Sequence, residues 1–296
     1  MRLLLLINTA LLFPFLGISN NSDTTIISLV PSWEKDDSQS FSIQNHTWGI
    51  DRENKKMETF ISYNVRMKII EKSDTGYLIS WLFEKTLRSD TINSILYLAK
   101  EGLEIIYRTD KKGTFKEVIN AKSIYDYLKM RMNKLDKNHQ FDYVLQQYSS
   151  KEGIQQNAIE DIKLYHKIYG EELKQSGKTE KLCYMDIPIE NKTSAVPAKY
   201  NAITEALDFK KKYYKTSTVT EPDMKTILEQ SKMEEDPNSK SNEEMEAMLL
   251  GLIVKDKSDY EIDLIKGWVI LLHYSQELKI LDGEISFTEF DIKINK

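Results

Sequence analysis

Four histidines, His46, His139, His166 and His273, and one cysteine, Cys183, are the side chains best suited to metal binding or nucleophilic chemistry. The histidines lack the close i, i+4 spacing of a helical zinc pair, and a single cysteine supports neither an internal disulfide nor a cysteine-rich metal site. His166 is expected at a helical surface or boundary position and His273 in an apolar strand, both structural. Cys183 has no flanking catalytic signature and is expected to be a buried structural thiol. The chain contains no Gly-x-Ser-x-Gly elbow, no phosphate-cradling glycine loop and no dinucleotide fingerprint. A Ser/His/Asp triad need not be contiguous, so an exported hydrolase stays open as a third reading. No catalytic residue and no cofactor is assigned.

The sharpest local motif is Asp282-Gly283-Glu284-Ile285-Ser286-Phe287-Thr288-Glu289-Phe290, which resembles the second half of an EF-hand calcium loop. The resemblance would give ligand roles to Asp282, Glu284 and Glu289. Aligning Glu289 to the last ligand position places Leu278 and Ile280 where the first carboxylates should stand. The segment after Glu289 alternates like a strand and leaves no room for an exiting helix. A hairpin with an Asp-Gly turn is the simpler expectation, and no metal is assigned. Lys210-Lys211-Lys212-Tyr213-Tyr214-Lys215 is the compact basic and aromatic patch. It could meet an anionic surface, but lysines guarding a strand edge explain it as well. Trp81, Phe83 and Trp268 are candidates to line a ligand groove, although aromatics on strand faces are usually core.

These residues must be positioned by a largely β scaffold. The chain has 296 residues, 41% of them hydrophobic, and 41 Lys+Arg against 46 Asp+Glu, a net charge of −5. That balance excludes a general nucleic-acid binder, which needs a basic face. Arg2 followed by the apolar run Leu3 to Leu16, then Gly17-Ile18-Ser19, reads as a signal peptide cleaved after Ser19. The run falls short of the ~20 residues that span a bilayer. No cysteine stands directly after it, so a lipoprotein anchor is excluded and a soluble periplasmic or extracellular protein is expected. No later segment reads as membrane-spanning.

Residues 20–40 are expected to form a flexible leader, followed by one α+β domain over 41–296 with a possible subdivision near 235. Residues 60–69 read as a strand that alternates from Tyr63 on, with turns at Ser73-Asp74-Thr75-Gly76, Lys100-Glu101-Gly102 and Asp110-Lys111-Lys112-Gly113. Ile95 to Leu98 is expected to be one of the strands between them. Asn120 reads as a helix cap, with amphipathic helices from about 121 to 175. Cys183 to Ile189 and Tyr213 to Thr220 are further candidate strands, a helix opens at Glu221-Pro222-Asp223, and strands return from Tyr260 to Ile294. The expected fold is therefore antiparallel meanders at both ends forming one curved sheet, with a helical middle packed on one face.

The leader, the stretch Gly113-Thr114-Phe115-Lys116-Glu117-Val118-Ile119-Asn120 before a helix, and Lys266-Gly267-Trp268 opening a late hairpin together resemble uncharacterised exported β-rich proteins of Bacteroidota-type Gram-negative bacteria. The likeness is one of pattern over most of the mature chain. It implies an exported α+β protein and carries over no catalytic residue. The leading expectation is a non-enzymatic protein binding an apolar or amphipathic ligand or an envelope partner protein; the alternative is a purely structural component of the envelope.

Overall fold

The computed structural model describes residues 25–295 except 52, 90–93, 136–141, 190–191, 232–252 and 280–284. Six strands come first: β1 (Ile26–Ser28), β2 (Ser38–Ile50), β3 (Lys56–Ser73), β4 (Gly76–Ser89), β5 (Glu104–Asp110) and β6 (Phe115–Val118). Helix α1 (Ser94–Lys100) interrupts them, and α2 (Ala121–Leu135), α3 (Asp142–Gln147), α4 (Lys151–Asn157) and α5 (Glu160–His166) follow. Then come β7 (Glu172–Lys174), β8 (Lys178–Ile189), β9 (Lys192–Asp208), β10 (Tyr213–Pro222), helix α6 (Met224–Ser231), β11 (Ile253–Asp263), β12 (Val269–Lys279) and β13 (Ile285–Ile294).

Among the described residues eleven strands form one sheet in the order β6-β5-β4-β3-β2-β13-β12-β11-β10-β9-β8, every neighbouring pair antiparallel. The seam that makes it one sheet is β2 against β13, from Phe41 opposite Ile294 to Ile50 opposite Ile285. Strands on both sides of residue 235 therefore belong to the same sheet, and the two ends of the chain are zipped together as the alternation anticipates. Alternation also decides the faces. Phe41 and Ile43 on β2, Tyr63, Val65, Met67 and Ile69 on β3, and Ile79 and Trp81 on β4 all point to one side and are buried. That side is called the inner face here. The turns follow their chemistry: Gly113 takes φ +87°, and the Asp110 carboxylate accepts from the Lys112 and Thr114 amides.

Several expectations are corrected. Residues 172–222 hold four strands, so the middle of the chain is not simply helical. Ile95 to Leu98 lies in α1 rather than a strand; a short apolar run does not separate the two by periodicity alone. The supposed flexible leader is structured from Ile26 onward. β1 pairs with β7, and Trp33 is fully buried against Tyr77, Tyr169 and Trp268. Asn120 does stand at the start of α2, its carbonyl accepting from the Ile124 amide, but its side-chain amide bonds to the sheet. Its oxygen accepts from the Ile106 amide and its nitrogen donates to the Glu104 carbonyl, closing an irregular β5–β6 edge.

Candidate functional site

Two arrangements stand out, one open and one sealed. The open one arises on the outer face, where β2, β3, β11, β12 and β13 run side by side. Register sets two rows of side chains near the strand ends. The first runs Lys56, Ile50, Ile285, Lys279, Ile253 across the sheet; the second runs Glu58, Trp48, Phe287, Glu277. Trp48 and Phe287 stack with centroids 5.5 Å apart and planes 16° apart, and the His46 ring lies 4.6 Å from Trp48. Together these residues line a shallow groove of about 570 Å³ with Gly49 and Met57 at its edge. Ile253 and Met57 remain exposed.

On the strands beside it the outer face carries ion pairs. Arg66 meets Glu84, Lys215 meets Glu205, Lys255 meets Glu221, and Lys257 meets Asp259. An apolar aromatic strip beside these ion pairs is informative. Chemically it offers flat rings for stacking, aliphatic walls, and a corner charge of each sign on both flanks. His46 Nε2 lies 2.9 Å from Glu58 Oε1, a base held by a carboxylate. Among the described residues no hydroxyl or thiol is hydrogen-bonded to that imidazole, so the pair lacks the nucleophile of a triad.

The sealed arrangement surrounds α5, a short helix with five of its seven residues buried. Asp161 accepts from Trp81 Nε1 at 3.1 Å, from the Tyr63 hydroxyl at 3.4 Å and from the Ile162 amide at 3.0 Å. Desolvation raises its pKa, partly offset by the nearby Lys100 charge. Lys100 is buried beside the Phe83 and Tyr97 rings, and desolvation lowers its pKa while Asp161 opposes the shift. One turn on, His166 is fully buried. Its Nδ1 lies 2.7 Å from the Gly113 carbonyl, which can only accept, so Nδ1 carries the proton and Nε2 accepts from the Tyr107 hydroxyl at 2.8 Å. Burial pushes this imidazole down to about 4. A depression of about 470 Å³ beside it is lined by Thr114, Phe115, Lys163, Lys167 and Glu171. With both His166 nitrogens already engaged, the cluster is a structural network that locks α5 against the sheet.

No family model and no curated protein matches this chain.

The site must therefore be read from its own residues, and most of the sequence candidates lie elsewhere. Trp81 and Phe83 are core residues on the inner face, and Trp268 packs on Trp33 with centroids 5.1 Å apart. Burial replaces the groove expected at these three positions. His166 is interior rather than at a boundary, and His273 pairs with Asp291 across β12 and β13 at 2.7 Å. His139, Asp282 and Glu284 lie outside the described residues. Glu289 sits on β13 opposite His46, and the strands before and after residues 280–284 pair as a hairpin. Among the described residues no group of three or more His, Cys, Asp or Glu could hold a metal ion. The basic patch is not a strand edge. Lys210 and Lys211 donate amides to Asp208 in the β9–β10 turn, Lys212 takes φ +55°, and β10 is flanked on both sides. Cys183 is half-buried on β8, with its thiol pushed up by burial. No described helix is long and apolar enough to cross a membrane.

The groove residues escaped attention because nothing in their types is unusual. The available signal was parity. Trp48, Ile50, Ile285 and Phe287 fall in the same alternation class as the polar Ser42, Gln44, Glu289 and Asp291, so an alternation count flags them as apolar side chains on the wet face.

Proposed function

We propose that this is an exported, non-enzymatic binding protein whose outer-face groove takes an amphipathic ligand. The apolar part of the ligand stacks on Trp48 and Phe287, and its charged group meets Lys56 and Lys279 or Glu58 and Glu277. Helices held to the inner face of the sheet fill its interior and leave the outer face for recognition. The reading is carried by the stacked Trp48–Phe287 pair lining an open groove on a face whose other strands carry ion pairs. A shallow, apolar, mostly preformed concavity with a few placed charges is what a small-molecule site requires. Export rests on the leader from Arg2 to Ser19.

Fluorescence titration of the mature chain with anilinonaphthalene sulfonate, an amphipathic probe with one anionic group, tests the groove. Replacing Trp48 by Ala is expected to weaken binding by about tenfold, the loss of one aromatic stacking partner and its apolar area. Thermal unfolding should be unchanged, because the ring is only half-buried. Equal affinities of wild type and Trp48→Ala, or no saturable binding at all, remove the reading. Export is tested separately by N-terminal sequencing, which should find a chain beginning at Asn20 outside the cytosol. An intact precursor confined to the cytosol overturns that part.

A further inference from the structure

We propose that the outer-face groove takes a rod-shaped ligand with an apolar middle and an anion at each end, of the class of a long-chain dicarboxylate. The inference rests on the groove reading above and adds the sign and spacing of the ligand's charges. Strand register lays the site out as a row on four adjacent strands: Lys56 on β3, Ile50 on β2, Ile285 on β13 and Lys279 on β12. All four residues line the groove. Two isoleucines are thus bracketed by two ammonium groups, and the stacked Trp48–Phe287 pair in the next row forms a side wall.

The sign follows from which charges are already matched. Glu58 and Glu277 are the carboxylates two residues along from the lysines. Glu58 is held by His46 at 2.9 Å, and Glu277 stands opposite Lys255 on β11 and supports its positive charge. Neither the Lys56 nor the Lys279 ammonium group has an ion pair or hydrogen bond among the described residues. Lys215, Lys255 and Lys257 on the same face each meet a carboxylate. The spacing follows from the sheet. Three interstrand steps separate Lys56 from Lys279, about 14 Å at the backbone. A compact anion shared by both lysines would lie over the isoleucine side chains and lose hydration there. An extended chain instead covers the isoleucines and leaves each carboxylate beside one ammonium group at the rim. Apolar contact then supplies most of the affinity, and the two exposed ion pairs supply selectivity.

Isothermal titration calorimetry on the mature chain at low salt tests this with dodecanedioate, its monomethyl ester and its dimethyl ester, which carry two, one and no negative charges. Dodecanedioate is expected to bind about threefold tighter than the half-ester, the increment of one exposed ion pair. Lys56→Met and Lys279→Met should each remove that difference. The melting temperature should not change, because both side chains are exposed. Equal binding of half-ester and diacid by wild type, tighter binding of the matching diamine, or a diacid preference that survives either substitution overturns the proposal. Failure of the groove reading itself looks different. In that case none of the three ligands saturates the protein, whereas an error in charge alone leaves all three bound alike and all weakened by Trp48→Ala.

Discussion

Replacing Asp161 by Ala is expected to lower the unfolding free energy by about 3–5 kcal/mol, the range for removing one partner from a buried charge network. The substitution leaves Trp81 Nε1 and the Tyr63 hydroxyl without their acceptor and removes the stronger of the two carboxylates, Asp161 and Glu160, whose charge supports buried Lys100. Urea denaturation followed by tryptophan fluorescence measures the loss directly. Asp161→Leu combined with Lys100→Met should recover a large part of it, because a packed apolar pair imposes no desolvation cost on ions. A loss of only about 1 kcal/mol in Asp161→Ala, within the ordinary cost of a neutral hydrogen bond, would show that the carboxylate does not organise the interior.

Acidification is expected to destabilise the fold between pH 6.5 and about 4 through His166. Its folded-state pKa is depressed to about 4 from the ordinary 6.5, so in that window the unfolded chain binds the proton and the folded chain does not. Stability attributable to this imidazole is complete above pH 6.5, declines as pH falls, and levels off below about 4. Two to three pKa units correspond to about 3 kcal/mol at full effect. Asp161 works in the opposite direction, since a raised carboxyl pKa favours the folded state as pH falls. The groups nearest His166 are Tyr107, Tyr165, Tyr169, Trp33 and the more distant Asp110. Unfolding curves at intervals from pH 7 to 4 should show the decline in wild type and a flatter profile in His166→Gln. Identical profiles in the two proteins would place the acid sensitivity elsewhere.

Much of the scaffold was legible because strands and turns are local. The alternation of residues 63–69, the Ser73 to Gly76 turn and the Asp110 to Gly113 turn each follow from a few neighbouring side chains, and each stands where the pattern put it. Less legible were elements whose identity depends on a remote partner. Ile95 to Leu98 could be either strand or helix until Gly102, at φ +82°, turned the chain after α1. Trp33 sits in a polar neighbourhood of the sequence, yet it is held by rings from Tyr77, Tyr169 and Trp268 that lie far along the chain.

The sequence by itself determined an apolar N-terminal run, an antiparallel β scaffold with glycine turns, and the parity class of residues in the alternating stretches it marked, such as Tyr63 to Ile69. Those properties depend on hydropathy over a few residues and on the two-residue period of an extended chain. Only the tertiary structure decided which parity class is buried. Pairing β2 with β13 put Trp81 in the core and brought Trp48 and Phe287 together on the wet face. A contact between residues that far apart depends on the whole sheet's register, which no local window contains.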